Sequence, residues 1–107
     1  MTVIVVIPHE ADWQVSNHSF RLLADEVGRW LNEDQDRQAL ARGAAVGCLF
    51  FDNLGPDQAR RLALAMQAGA ESLRRRLLDG TDDDRSFAGY LAELSMRLTD
   101  LAGTGEP

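Results

Sequence analysis

The segment 46–59 constrains the fold most strongly, because it joins the most apolar run in the middle of the chain to the best-marked helix start. The apolar and aromatic residues at 45–51 predict a strand. The following turn leads into Gly55 as a helix N-cap and Pro56 at the first helical position, where a missing N–H costs nothing. The sequence therefore predicts a strand, a turn and a long helix over residues 56–79.

A second strand is predicted at the N-terminus. Residues 2–7 are almost all β-branched, which favours a pleated strand over a helix, and Pro8 ends the run. The apolarity is continuous rather than alternating, so we expect either a strand covered on both faces or one paired in a dimer. Residues 9–15 are mainly polar and predict a loop or a short edge strand.

Two further helices follow from apolar periodicity and capping residues. The first is expected over 17–32, behind Ser16 or Asn17 as its N-cap, with one apolar stripe formed by Phe20, Leu23, Val27, Trp30 and Leu31. The last is expected over 84–102, where leucines recur at the spacing of a coiled-coil seam. Between the first helix and the strand at 45–51, residues 32–43 are expected to form an acidic connection and then a single helical turn, whose assignment is ambiguous.

Together these elements predict an α+β fold. A small sheet, with strands near 2–7 and 45–51, would pack against three helices at about 17–32, 56–79 and 84–102. The length of 107 residues suits one domain. We expect that domain over residues 1–102 and a flexible tail over 103–107.

The charge balance excludes several functions. The chain has a net charge of −6, and all its basic residues other than histidine are arginine. The absence of lysine removes a P-loop lysine and a Schiff-base lysine. The acidic balance argues against nucleic acid as a partner, since phosphate neutralisation supplies most of that affinity. No apolar run approaches the ~20 residues of a membrane span, so we expect a cytoplasmic protein without a membrane partner.

Cys48 is the single cysteine of the chain. One cysteine cannot form an internal disulfide or a thiolate metal cage. Because it lies in an apolar run, we expect a buried and inert thiol. The sequence predicts no cofactor and no set of catalytic residues.

One small group of residues could nevertheless bind a metal ion or a ligand. His9, Glu10, Asp12 and His18 are residue types that ligate zinc and iron, although their spacing matches no strong metal motif. Asp52 ends a strand before a helix, where ligands often lie in α/β folds. The simpler interpretation is a solvated loop near His9 and a turn at Asp52, in which Asp bonds its own backbone.

Two other groups could contact a protein partner. Arg60 and Arg61 are predicted to lie on the same face of the helix as Arg74 and Arg75. Together the four residues form an arginine-rich side that could bind an acidic partner or a phosphate. The alternative is a solvated face compensated by nearby acids. Trp13 could pack against the helix start or stand exposed as a binding anchor. Trp30 falls on the apolar stripe and is expected in the core.

Three blocks of the sequence resemble a group of short, uncharacterised bacterial proteins of actinobacterial type. The blocks are a helix start built from Trp13, Ser16, Asn17, Phe20 and Leu23, the turn at 51–55, and a helix start built from Asp57, Ala59, Leu62 and Ala63. Some members of that group resemble immunity-type proteins from toxin–antitoxin neighbourhoods. The resemblance implies a small binding or immunity protein and carries over no enzyme activity.

These observations favour a non-enzymatic protein-interaction module, immunity-like or acting as an adaptor or regulator. It would bind a partner protein or form a homodimer through the N-terminal strand. The alternative is a small enzyme or a ligand- or metal-binding protein that uses the loop from His9 to Asp12, His18 and Asp52.

Overall fold

The computed structural model of the protein describes residues 2–103 and has an α+β fold, as the sequence predicts. Its strands are β1 (Thr2–Val6), β2 (Trp13–Ser16) and β3 (Cys48–Phe50), and its helices are α1 (Asn17–Val27), α2 (Asp34–Val46), α3 (Pro56–Leu77) and α4 (Asp82–Arg97). Short 3-10 turns occupy Gly28–Trp30 and Phe51–Asn53. Residues 104–107 of the predicted tail lie outside the described residues.

β1 is the central strand of the sheet, whose order is β2-β1-β3. It pairs antiparallel with β2 and parallel with β3, with Val5 opposite both Trp13 and Leu49. The parallel pairing requires a crossover, which α1 and α2 supply. Both edges of β1 are occupied within the chain, so β1 has no free edge with which to pair a second copy, and homodimerisation stays a prediction.

The predicted strand at 45–51 begins late, because a helix occupies the residues before it. α2 runs from Asp34 to Val46 and carries two acids in its first turn, where they complement the positive end of the helix. Gly47 ends the helix in the left-handed conformation, with a φ of 90°. The expected acidic connection and single helical turn are therefore wrong, and β3 contains only Cys48–Phe50.

α1 is shorter than the predicted helix over 17–32. Ser16 caps its start by accepting a hydrogen bond from the Ser19 N–H, and the helix ends at Val27. The next residues form a 3-10 turn, which has fewer residues per turn than an α-helix, so the side chains after it point in other directions than a continuous helix would give them. Leu31 is consequently buried, whereas Trp30 is 53% exposed and the prediction that it lies in the core is wrong.

The two C-terminal helices pack extensively against each other, and α3 also packs on α1. α3 begins with Pro56 at its first position, as predicted. α4 begins with a capping box in which Thr81 and Asp84 exchange hydrogen bonds, and it ends at Arg97 rather than at residue 102. Its apolar seam is buried, including Leu91 and Leu94.

Burial alternates along the sheet, which shows that the helices cover one of its faces. Val3, Val5 and Ile7 are buried in the core, whereas Ile4 and Val6 between them are only half-buried. The continuous apolar run predicted a strand covered on both faces or paired in a dimer. The described chain covers one face and leaves the other open.

Candidate functional site

The residues of the predicted metal or ligand site do not come together. Within residues 2–103, no three His, Cys, Asp or Glu side chains lie close enough to hold a metal ion. His9, Glu10 and Asp12 lie on an exposed turn, in which His9 adopts a φ of 66°. His18 is exposed in the first turn of α1, and Asp52 in the 3-10 turn after β3. The structure therefore supplies no shared geometry for that site.

Trp13 lies in the core and not at the surface. Its ring is buried, and its indole Nε1 donates a hydrogen bond of 2.9 Å to the Tyr90 carbonyl of α4. The side chain thus joins β2 to α4. The alternative of an exposed binding anchor at this position is wrong, because Trp13 has almost no surface to offer a partner.

The arginine-rich side of α3 is largely occupied by ion pairs within the chain. Arg61 is paired with Asp36 of α2, and Glu71 accepts hydrogen bonds from both Arg74 and Arg75. Arg60 is exposed beside Gly103. Arginines already held by carboxylates have less to offer an acidic partner, so the structure favours the compensated face.

Asp36 is the buried carboxylate among these pairs. Arg61 donates from Nε and Nη2 to the two carboxylate oxygens, at 2.9 and 3.1 Å. The carboxylate is buried, while the guanidinium keeps contact with water. Hydrogen bonding to Arg61 lowers the pKa of Asp36 below its usual 3.8, although burial opposes the shift. This pair fastens α2 to α3.

Replacing Asp36 with Asn should lower stability by about 1–3 kcal/mol at neutral pH, because Arg61 loses its charged partner. The pKa of Asp36 is lower in the folded state than in the unfolded state. Its contribution to the free energy of unfolding is therefore complete above the unfolded pKa near 3.8, and it is lost as the pH falls through the folded pKa. Urea unfolding at several pH values should show that the difference in the free energy of unfolding between Asp36→Asn and wild type disappears in acid. Asp34→Asn is the control, because Asp34 lies in the same helical turn but is exposed. Equal losses in the two variants would contradict the prediction.

Glu26 is a second buried carboxylate, and it fastens α1 to α3. Ser72 donates to its Oε2 at 2.6 Å, and Arg76 donates to its Oε1. Arg29 lies 3.9 Å from Oε2. The sequence did not indicate the contacts from Ser72 and Arg76, because both residues lie far from Glu26 along the chain. Both buried acids have structural partners, so neither is available as an unassigned catalytic group.

The open face of the sheet is a candidate contact surface, and we call it the outer sheet face. Strand register places on it the residues Thr2, Ile4, Val6, Gln14, Ser16, Cys48 and Phe50. None of these side chains is charged. Phe50 is 42% exposed, and Cys48 is partly exposed rather than buried as predicted.

A shallow cleft adjoins the outer sheet face at the free edge of β3. It has a volume of about 210 Å³, and its walls include Val46 and Phe50. Val46 is 69% exposed at the end of α2. Arg42 is the charged residue of the cleft. The edge of the sheet thus continues the apolar surface of its face.

Trp30 marks another exposed apolar site that the sequence did not reveal. With Leu64 it borders a cleft of about 320 Å³, whose wall also contains Arg61. Exposed tryptophan and arginine are enriched among residues that dominate binding energies. The one available signal was Gly28, which ends α1 before the stripe reaches Trp30.

No protein-family model, curated protein or solved structure matches this chain. In the part of the chain that the structure describes, no helix combines the length and apolarity needed to cross a membrane.

Proposed function

We propose that this protein is a non-enzymatic interaction module that binds a partner protein, or a second copy of itself, through the outer sheet face. The observation that carries the proposal is an uncharged and partly apolar sheet face in a chain of which 26% is charged. Contiguous exposed apolar surface marks interaction sites in soluble proteins, and charged residues are depleted at interface cores.

The apolar side chains on this face support binding more than the strand edge does. β3 contains three residues, so pairing with its free edge would form few backbone hydrogen bonds. Ile4, Val6 and Phe50 form a strip across two strands that a partner could cover. Burial of such side chains contributes roughly 25 cal/mol per Å² before the costs of association.

An uncharged face suits a protein that acts by covering the surface of another protein or by holding two proteins together. An immunity-type protein would cover a toxin, whereas an adaptor or regulator would present a partner. A toxin gene beside this gene would support the immunity role, and a regulatory or biosynthetic neighbour would support the adaptor role.

We expect Phe50→Glu to abolish binding by the outer sheet face, because it replaces the most exposed apolar side chain of this surface with a charge that binding would have to desolvate. The measurement is affinity capture from the host lysate, together with sedimentation equilibrium of the purified protein to detect self-association. Wild type should retain a defined partner or dimerise, and Phe50→Glu should do neither.

Leu22→Glu is the matched control, because Leu22 is almost equally exposed but lies on α1. It should bind as wild type does. A wild-type protein that sediments as a monomer and captures nothing would contradict the proposal. Equal binding by wild type and Phe50→Glu would show that another surface is used.

A further inference from the structure

The outward side of α4 carries a second surface, which adjoins the outer sheet face at the start of the helix. We propose that this surface, here named the α4 groove, binds a basic amphipathic helix of another protein. It is lined by Glu10, Asp83, Gly89, Tyr90, Glu93 and Met96. Its first hollow also touches Thr2, Gln14 and Ser16 of the outer sheet face, whereas Phe50 lies outside all three hollows.

The α4 groove is continuous along the helix. Three hollows of about 490, 350 and 580 Å³ follow one another. The first and second share Tyr90, and the second and third share Gly89 and Glu93. An elongated hollow beside a helix suits an extended occupant such as another helix rather than a compact small molecule.

Two large apolar side chains stand exposed in the groove. Tyr90 is 52% exposed and Met96 is 76% exposed. Tyrosine supplies contact area at low entropic cost, and methionine adapts its shape to a partner. These two side chains provide the apolar contacts that an amphipathic helix would cover.

The charges in the groove indicate the sign of the charge that a partner would carry. Glu10, Asp83 and Glu93 place carboxylates along it. Arg97 also lines the groove, where it pairs with Glu93 at 3.4 Å and donates to the Asp12 carbonyl at 2.9 Å, so the carboxylates that set the sign of the partner's charge are Glu10 and Asp83. Carboxylates around exposed apolar groups complement a helix that carries Lys or Arg beside its apolar side.

Gly89 indicates close approach from outside the chain. Glycine inside a helix costs about 1 kcal/mol relative to alanine. A Cβ at Gly89 would meet nothing within 4 Å, so the fold itself does not require glycine there. A missing side chain lets two helix backbones approach each other closely. An incoming helix would use this space between Ser86 and Glu93.

The test uses a synthetic amphipathic peptide of about twenty residues built from Lys, Leu and Ala, titrated into the ¹⁵N-labelled protein. The Trp13 indole N–H is bonded to the Tyr90 carbonyl and reports on α4 from inside. Trp30 lies in a different cleft and serves as the internal reference. We expect saturable binding that shifts the Trp13 indole signal and leaves that of Trp30 unchanged.

Gly89→Leu should weaken binding about tenfold or more, because it fills the site of closest approach without changing the charge. Tyr90→Ala should also weaken it. Ala41→Leu adds the same side chain at an exposed position of α2 and should bind as wild type does. Phe50→Glu should also bind the peptide normally, which separates this result from the function proposed above.

Three results would overturn the proposal. Unchanged affinity in Gly89→Leu would mean that the peptide is held only by general charge attraction. A peptide with Glu in place of Lys that binds equally well would remove the charge argument. A shift at Trp30 without one at Trp13, or no binding at all, would exclude the α4 groove as the site.

Discussion

Trp13→Ala should remove about 3–5 kcal/mol of stability, the loss expected when a large buried aromatic side chain is truncated. Trp13 is among the largest fully buried side chains of the protein, and its hydrogen bond joins β2 to α4. The variant also leaves the Tyr90 carbonyl without that donor. A domain of this size has a total stability of about 5–15 kcal/mol, so the variant should be marginally folded.

The measurement is the free energy of unfolding from urea titration, with Trp30→Ala as the matched control. Trp30 is the other tryptophan of the chain and is half-exposed, so its truncation should change stability by less than about 1 kcal/mol. Trp13→Phe should lie between the two, since it keeps most of the packing and loses the hydrogen bond. Similar losses in Trp13→Ala and Trp30→Ala would contradict the assignment of Trp13 to the core.

The positions of the two tryptophans show where sequence reasoning ends. A stripe at helical spacing places Trp30 in the core only if the helix continues to it. The 3-10 turn after Val27 rotates the following residues, so that Leu31 and not Trp30 reaches the interior. Trp13 has no periodic pattern around it, because β2 contains four residues. Its burial depends on contact with α4, which lies far along the chain.

The elements with strong local signals were predictable, and α2 was not. The β-branched run of β1 and the Pro56 helix start each identify their element from a few residues. α2 buries Ala39, Leu40 and Gly43, which form only a weak apolar stripe. Its C-terminal residues resemble the start of a strand, and Gly47 separates the two elements only through its left-handed conformation.

The candidate surfaces were less predictable than the elements. The continuous apolar run of β1 predicted cover on both faces or pairing in a dimer, whereas the described chain covers only one face, because which face the helices cover depends on the whole fold. The pairing of Asp36 with Arg61, like that of Glu26 with Arg76, joins residues distant in sequence. The pair with Asp36 accounts for Arg61, one arginine of a face that otherwise resembles a binding site.

Gly69 and Gly89 offer a second strong test, because the same substitution should have opposite effects at the two positions. Gly69 lies where α3 packs closely against Val27 at the end of α1. A Cβ there would lie 2.8 Å from Val27 Cγ2, 2.9 Å from its Cα and 3.0 Å from its backbone N. Two of these atoms belong to the main chain, so a new side-chain rotamer of Val27 cannot relieve the overlap.

Gly69→Ala should therefore destabilise the protein by about 2–3 kcal/mol, since overpacking exceeds the gain in helix propensity. Gly89→Ala should stabilise it by about 0.5–1 kcal/mol, because the added methyl group meets open space. Urea unfolding of the two variants gives both changes in the free energy of unfolding. The slope of that free energy against urea concentration should be the same as in wild type. A stabilised Gly69→Ala would show that α1 and α3 can separate at little cost. A destabilised Gly89→Ala would mean that the fold itself requires glycine there, which would remove the reason to assign the open space on α4 to a partner helix.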